Sequence, residues 1–358
     1  MLAYYQQLKF NFKLSALFGA LGIVFRQTNV IWLAFCLCQL VLLNAENLVK
    51  NQDIKLLNKQ VKEIQLPNIG AISHHQRNKR HSILFELLVR KPSEGLLSKE
   101  FELRNLPIKL YREDFWGKKL IYSDLAKCFD MSIIQPYFLV ITTFLFFVFV
   151  NNGIVVGDRS NHQASFHVVQ LFYFLLFSCF FNFSSFLFNF KKLKNLFNFL
   201  SVYFKIIIGV CLPICLILVA NFTYEHPFLL ADNRHYTFYI WSRLFKRYEE
   251  FKYLVVPGYV ACGYLFFRNL SLAGKSLGWL IAFSLCVFIG LVPQKLIEFR
   301  YFIIPFYIYR LNIVQFSWKE IVAEFAFFVV INFLTISMFV NKVFYWPNNP
   351  HEPQRFMW

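Results

Sequence analysis

The chain has 358 residues, of which 57% are hydrophobic and 20% aromatic, with 47 Phe and a mean hydropathy of +0.46. A soluble domain of this length has no use for so much apolar surface, and the apolar runs are continuous rather than alternating. A soluble globule and a transmembrane β-barrel are therefore excluded in favour of an all-α, polytopic transmembrane helical bundle. The net charge of +17 comes without a nucleic-acid-binding module. Most basic residues sit between apolar runs, where positive-inside topology and anionic headgroups account for them, so membrane lipids and not nucleic acid are the expected partners.

In chain order, nine candidate spans are expected at about 12–25, 30–48, 137–156, 167–189, 201–221, 253–269, 276–293, 299–316 and 321–341. The first is short. Residues 1–49 hold the first two spans. Region 50–135 differs in kind: it carries 16 Lys/Arg against 10 Asp/Glu and is punctuated by Pro67, Gly70, Pro92, Gly95 and Pro107. It reads as a basic solvated loop with short amphipathic pieces such as Ile83 to Val89. Seven spans follow over 136–345, and 346–358 reads as a tail. No cleavable leader is evident, and no repeat of fixed period is found.

Charge sets the topology. The 50–135 loop and the Lys191-Lys192-Leu193-Lys194 turn are expected on the cytosolic side. Parity then places the turns near 26–29, 157–163, 223–252 and 294–300 on the opposite face. One loop resists the rule, because 223–252 carries Arg234, Arg243, Lys246, Arg247 and Lys252. Either the topology differs there, as a re-entrant segment would make it, or these cations bind something anionic such as lipid phosphate, which is the preferred reading.

Of the eight cysteines, all but Cys128 lie in apolar runs, and none shows zinc-ligand spacing, so they read as small packed hydrophobes. Of three Asn-x-Ser/Thr sequons, Asn182 falls inside a span, Asn221 on the predicted lumenal side against the membrane and Asn269 on the predicted cytosolic side, and all are expected to stay unmodified.

Four polar clusters interrupt the apolar sequence at the same predicted face. They are Arg26-Gln27-Thr28-Asn29, Gly157-Asp158-Arg159-Ser160, Ala231-Asp232-Asn233-Arg234-His235-Tyr236 and Glu298-Phe299-Arg300-Tyr301. Charge at the edge of a bilayer is costly unless paired or used. Each cluster has a bland reading: a turn with a snorkelling Arg, a local Asp158–Arg159 or Glu298–Arg300 pair, or an interfacial aromatic belt. Each also has a functional one, since Arg presents a planar fork to phosphate oxygens and aromatic faces stack on sugars. No triad, P-loop, HExxH or metal-ligand set is present, so group transfer from an activated phosphate is the chemistry left open.

At these clusters the sequence resembles the endoplasmic-reticulum α-1,2-glucosyltransferases that add the last glucose to the dolichol-linked N-glycan precursor. The matching strings are Phe25-Arg26-Gln27-Thr28-Asn29-Val30-Ile31-Trp32, Gly157-Asp158-Arg159-Ser160, Ala231 to Tyr239, Val292 to Leu296 with Glu298 to Tyr301, and Gln354-Arg355-Phe356-Met357-Trp358. The resemblance implies a GT-C type glycosyltransferase of the endoplasmic-reticulum membrane with a lumenal active face. Its donor would be dolichyl phosphate glucose, and its acceptor the diglucosylated dolichyl-diphosphate-linked oligosaccharide. The reaction would invert the anomeric centre without cofactor or obligatory metal.

On that reading Arg26, Arg159, Arg234 and Arg300 hold phosphate, while Gln27, Asn29, Asn233, His235, Tyr236 and Glu298 contact sugar. Members of the family carry extra N-terminal spans and an Asp-Glu pair in a first lumenal loop. No acid precedes Arg26 here, which is expected for a truncated chain. The catalytic base is then missing, or replaced by Asp158 or Asp232. The alternative is a catalytically inactive relative that binds a lipid-linked sugar or regulates another membrane protein. A transporter is disfavoured, since charges lie at span ends and no repeat is found.

Overall fold

In the computed structural model the described residues are 1–45, 131–154, 164–187, 190–226, 229–230, 232–313 and 317–356. The chain divides into a unit of Met1–Leu37 with Gln135–Trp358 and a second of Cys38–Ile134. The basic region is outside the described residues as far as 130, as are Asp158 and Arg159.

The elements are helices almost throughout: α1 Leu2–Leu8, α2 Phe12–Phe25, α3 Gln27–Ala45, α4 Met131–Val150, α5 Gln170–Phe181, α6 Ser184–Leu187 and α7 Phe190–Val202. They continue as α8 Phe204–Phe222, α9 Tyr236–Ile240 running into a π turn Trp241–Phe245, α10 Phe251–Leu254, α11 Val256–Leu272, α12 Leu277–Leu291, α13 Phe299–Asn312 and α14 Trp318–Asn341. Among the described residues, α3, α8, α14 and Ser132–Val150 of α4 are long and apolar enough to cross a bilayer, and α2, α5 and α12 are shorter apolar helices. The chain is thus a polytopic helical membrane protein. Helices α2, α3, α4, α5, α8 and α11 to α14 lie in the nine expected stretches, α5 ending at Phe181 where the expected stretch ran to 189.

Some elements were not expected. Helix α1 returns on α2, where the Ser15 hydroxyl donates to the Ala3 carbonyl at 2.7 Å. Residues 343–355 form an antiparallel hairpin, β1 Val343–Trp346 and β2 Asn349–Arg355, with a register shift at Tyr345/Trp346. The sequence reading left most of it as a tail.

Packing of the first unit explains the Phe content. In lipid, helices gain nothing from hiding apolar surface from water, so association rests on van der Waals contact and hydrogen bonds. Aromatic rings supply both area and geometry. Phe35 of α3 meets Trp279 edge-on at 5.6 Å, Trp279 stacks on Phe283 at 5.1 Å, and Phe266 of α11 stacks on Tyr309 of α13 at 4.1 Å. Phe174 of α5 joins Phe266 and Phe302 at 5.6 and 6.0 Å. Such pairs each contribute about 0.5–1.5 kcal/mol beyond area burial.

One buried polar network is set into this core. The Asn182 and Asn269 amides donate to the Tyr309 hydroxyl at 3.3 and 2.9 Å, and Asn182 also donates to Ser185 at 3.2 Å. Asn182 is 0% and Asn269 4% exposed, so neither sequon presents its amide to a modifying enzyme.

Candidate active site

The site is built where α13 begins. Helix α12 ends at Leu291, and the loop to α13 would leave its carbonyls exposed without outside donors. The stretch before α5 supplies them. Ser165 and His167 backbone amides donate to the Pro293 and Val292 carbonyls at 3.1 and 2.9 Å. His167 Nδ1 reaches the Lys295 carbonyl at 3.1 Å, which makes Nδ1 the protonated nitrogen. Gln170 Nε2 donates to the Gln294 and Leu296 carbonyls at 3.1 and 3.0 Å. Both side chains are fully buried, and together they fix the loop that delivers Glu298 and Arg300.

Glu298 is the N-cap residue of α13, with extended backbone at φ −137°. Its carboxylate accepts from Arg300 Nε and, at 2.8 Å, from Arg300 Nη2. Arg26, just past the end of α2, places its guanidinium over the Tyr301 ring at 4.4 Å. The 26–29 turn and the start of α13 are therefore neighbours, as a shared face requires.

Asp232 and Arg234 form a second fork. Arg234 Nε donates to both Asp232 oxygens at 2.9 and 3.1 Å, Nη2 to Oδ2 at 2.7 Å, and the Arg234 backbone amide to Oδ1 at 3.0 Å. These bonds hold the Asp232 carboxyl below the usual carboxylate range, although partial burial opposes the shift. His235 Nε2 lies 3.6 Å from Asp232 Oδ2. The Glu225 carboxylate nearby accepts from Trp241 Nε1 at 2.8 Å.

The Glu298–Arg300 fork and the Asp232 carboxylate of the second fork line one cavity of about 780 Å³. Asp232, His235, Thr237, Glu298, Arg300 and Asn332 supply its polar wall; Phe177, Phe181, Ile303, Phe328 and Ile331 are among its apolar lining. A site of this size accommodates a substantial part of an amphiphile, with the polar head among the charged groups and the chain against the rings. The Glu298–Arg300 pair is local and its arginine lines the cavity, so Arg300 can exchange its carboxylate for a ligand anion without disturbing a contact between helices.

Of the residues picked from sequence, Asp232, His235, Glu298 and Arg300 line the cavity. Arg234 is not part of the wall but holds Asp232, and Arg26 reaches the region through Tyr301. Several candidates for sugar contact have other bonding. Asn29 Nδ2 donates to the Gly22 carbonyl at 2.7 Å and so closes the end of α2. Asn233 Oδ1 accepts from Trp346 Nε1 at 2.7 Å, and the Tyr236 hydroxyl points to Met338 Sδ at 4.0 Å. Gln27 sits half-buried in the 3₁₀ turn that opens α3.

Asn332, Thr237, His167 and Gln170 were missed. Asn332 and Gln170 did leave a signal, as amides inside apolar runs, where a polar side chain needs a partner or a task. Among the described residues no group of three or more His, Cys, Asp and Glu stands ready to hold a metal ion.

The profile of the DIE2/ALG10 family matches residues 1–311. A mouse protein named Dol-P-Glc:Glc(2)Man(9)GlcNAc(2)-PP-Dol alpha-1,2-glucosyltransferase is 39% identical over 360 residues, covering 100% of this chain and 66% of its own. A human protein of the same name is 40% identical over 361 residues, with the same coverage. One from Drosophila melanogaster is 33% identical over 350 residues, 96% of this chain and 65% of its own. The chain thus spans just under two thirds of the length of these relatives. No solved structure matches it significantly. With a profile match over most of its length and relatives that align over the whole of it, the chain belongs to the DIE2/ALG10 family.

Proposed function

We propose that this chain carries the lipid-linked-sugar site of an endoplasmic-reticulum glucosyltransferase, with the cavity facing the lumen. The reaction transfers glucose from dolichyl phosphate glucose to the diglucosylated dolichyl-diphosphate oligosaccharide and forms an α-1,2 linkage. The observation that carries this reading is the meeting of the Glu298–Arg300 fork, the Arg234-held Asp232 carboxylate and an aromatic lining in one cavity. The relatives' shared name gives the donor and acceptor.

In this reading the donor's isoprenoid end lies against Phe177, Phe181 and Phe328, and its phosphate meets Arg300. The acceptor hydroxyl oxygen attacks C1 of glucose on the face opposite phosphate. The C1–O bond to phosphate breaks, the configuration inverts, and the electron pair leaves with dolichyl phosphate. Arg300 and Arg234 stabilise that developing charge. The hydroxyl proton goes to a carboxylate base.

Asp232 is a weak base while Arg234 holds it; transfer of the Arg234 fork to phosphate would release its basicity. Asp158 is the other candidate for this role. In this reading His235 and Asn332, both in the cavity wall, bind sugar hydroxyls.

The test is lipid-linked oligosaccharide profiling in cells that lack their terminal α-1,2-glucosyltransferase and express this chain. Conversion of the diglucosylated precursor to the triglucosylated form is expected, with Asp232→Asn and Asp158→Asn separating the two base candidates. Continued accumulation of the diglucosylated form, with the protein present and membrane-inserted, would overturn the reading that these residues suffice.

A further inference from the structure

The hairpin β1–β2 lies outside the stretch matched by the family profile, which ends at residue 311. Its contacts converge on one segment. Trp346, the last residue of β1, donates its indole N–H to Asn233 Oδ1 at 2.7 Å. The same ring lies under the Arg234 guanidinium, 5.2 Å from its centroid. Phe356, directly after β2, packs on Tyr236 and Tyr239 at 6.5 and 5.5 Å. Arg355 anchors the hairpin to α14 by donating Nη1 to the Phe339 and Val340 carbonyls at 2.7 and 2.8 Å.

Segment 232–239 has little regular structure of its own before α9 begins at Tyr236. A short loop carrying a charged fork at a membrane surface is free to move unless something outside it fixes the backbone. Trp346 contacts both residues that matter. Through Asn233 it fixes the main chain between Asp232 and Arg234, and through its face it sets the plane of the guanidinium. A cation over an indole ring keeps its in-plane N–H groups available for a second, planar partner.

We propose that Trp346 is a positioning residue and that the hairpin is a clamp holding the Asp232–Arg234 fork in register with the cavity. The ligand consequence rests on the proposed function, since the anion to be met is a prenyl phosphate. Trp346 touches neither substrate nor reacting atoms; it acts through Asn233 and Arg234.

The experiment uses the full chain in nanodiscs, with farnesyl phosphate as the probe and two readouts. Hydrogen exchange is followed in peptides covering 232–239, and farnesyl phosphate affinity is measured in parallel. Trp346→Leu is expected to speed exchange in 232–239 while α11 to α13 stay protected, and to weaken binding about fivefold to thirtyfold, the loss of one cation–π contact and one hydrogen bond. Trp346→Phe keeps the ring and loses the N–H, so it should recover part of the affinity. Arg355→Gln, remote from the fork, should shift both readouts in the same direction by less, and it serves if Trp346→Leu does not fold.

Unchanged exchange in 232–239, or a rise spread evenly over all helices, would overturn the clamp. If the wild-type chain binds no farnesyl phosphate, the functional reading fails, while the exchange measurement still decides the clamp.

Discussion

Helix α13 carries an arginine at each end, and the two are used differently. Arg300, in the first turn, pairs with Glu298 two residues away; its side chain is 68% exposed and faces the cavity. Arg310, in the last turn, pairs with Glu324 of the neighbouring helix α14, at 3.2 and 2.5 Å, with side chains only 22% and 12% exposed. Ten residues of helix separate them by roughly 15 Å. A pair within one turn can open without disturbing any helix contact. A pair between helices cannot, because each partner would be left charged at a packed seam. The first arrangement suits exchange with a ligand; the second suits a staple.

The largest effect that would test this contrast is Glu324→Ala. It removes the carboxylate that Arg310 bonds twice at a partly buried helix seam, a loss of about 1.5–3 kcal/mol for hydrogen bonds to a charged group. Thermal unfolding in detergent should show a large loss of stability, which the Arg310→Gln, Glu324→Gln double substitution should largely recover. A silent Glu324→Ala would end the staple description.

Next comes Arg300→Ala, which should fold normally yet lower the proposed glucosyl transfer by about 100-fold, the scale for removing one charge-stabilising donor. Arg300→Lys should fall between, because it keeps the charge and loses the fork. If Arg300→Ala instead destabilises the protein as Glu324→Ala does, the two ends of α13 are alike and the contrast is wrong.

The smallest effect concerns pH. The Arg234 fork depresses the Asp232 carboxyl in the folded protein, so the pair's contribution is complete above the ordinary carboxylate value. It is lost only as pH falls through the lower folded value. Protection factors in 232–235 should therefore be flat from about pH 7 to about pH 5. Asp232→Asn should lower them throughout that range. A decline between those limits in the wild-type chain would show that another group holds the segment.

Much of this was legible in the sequence because the membrane makes patterns blunt. Continuous apolar runs mark α3, α4, α8 and α14, and charges confined to their edges marked 26–29, 232–236 and 298–301. What stayed hidden were partners distant in the chain. His167 and Gln170 grip backbone carbonyls 128 and 124 to 126 residues away, and a carbonyl has no signature in sequence. Asn29 and Asn233 read as sugar-binding amides, and no pattern in the sequence signals that Gly22 takes the Nδ2 of the first and Trp346 the Oδ1 of the second. The hairpin was unreadable for the same reason. Its strand residues Asn349-Pro350-His351-Glu352-Pro353 resemble a loop, and the ordering contacts come from α14 and from segment 232–239.

The Arg355 contact also has an energetic consequence. The last carbonyls of a helix carry the negative end of its macrodipole and have no partners within the helix. In α14 two of them, Phe339 and Val340, are taken by a guanidinium from the end of β2. Fraying of α14 at this end therefore releases Arg355, and loss of the hairpin uncovers the helix terminus. The final turn of α14 and the hairpin form one cooperative opening unit, with a shared opening free energy above that of a free helix end.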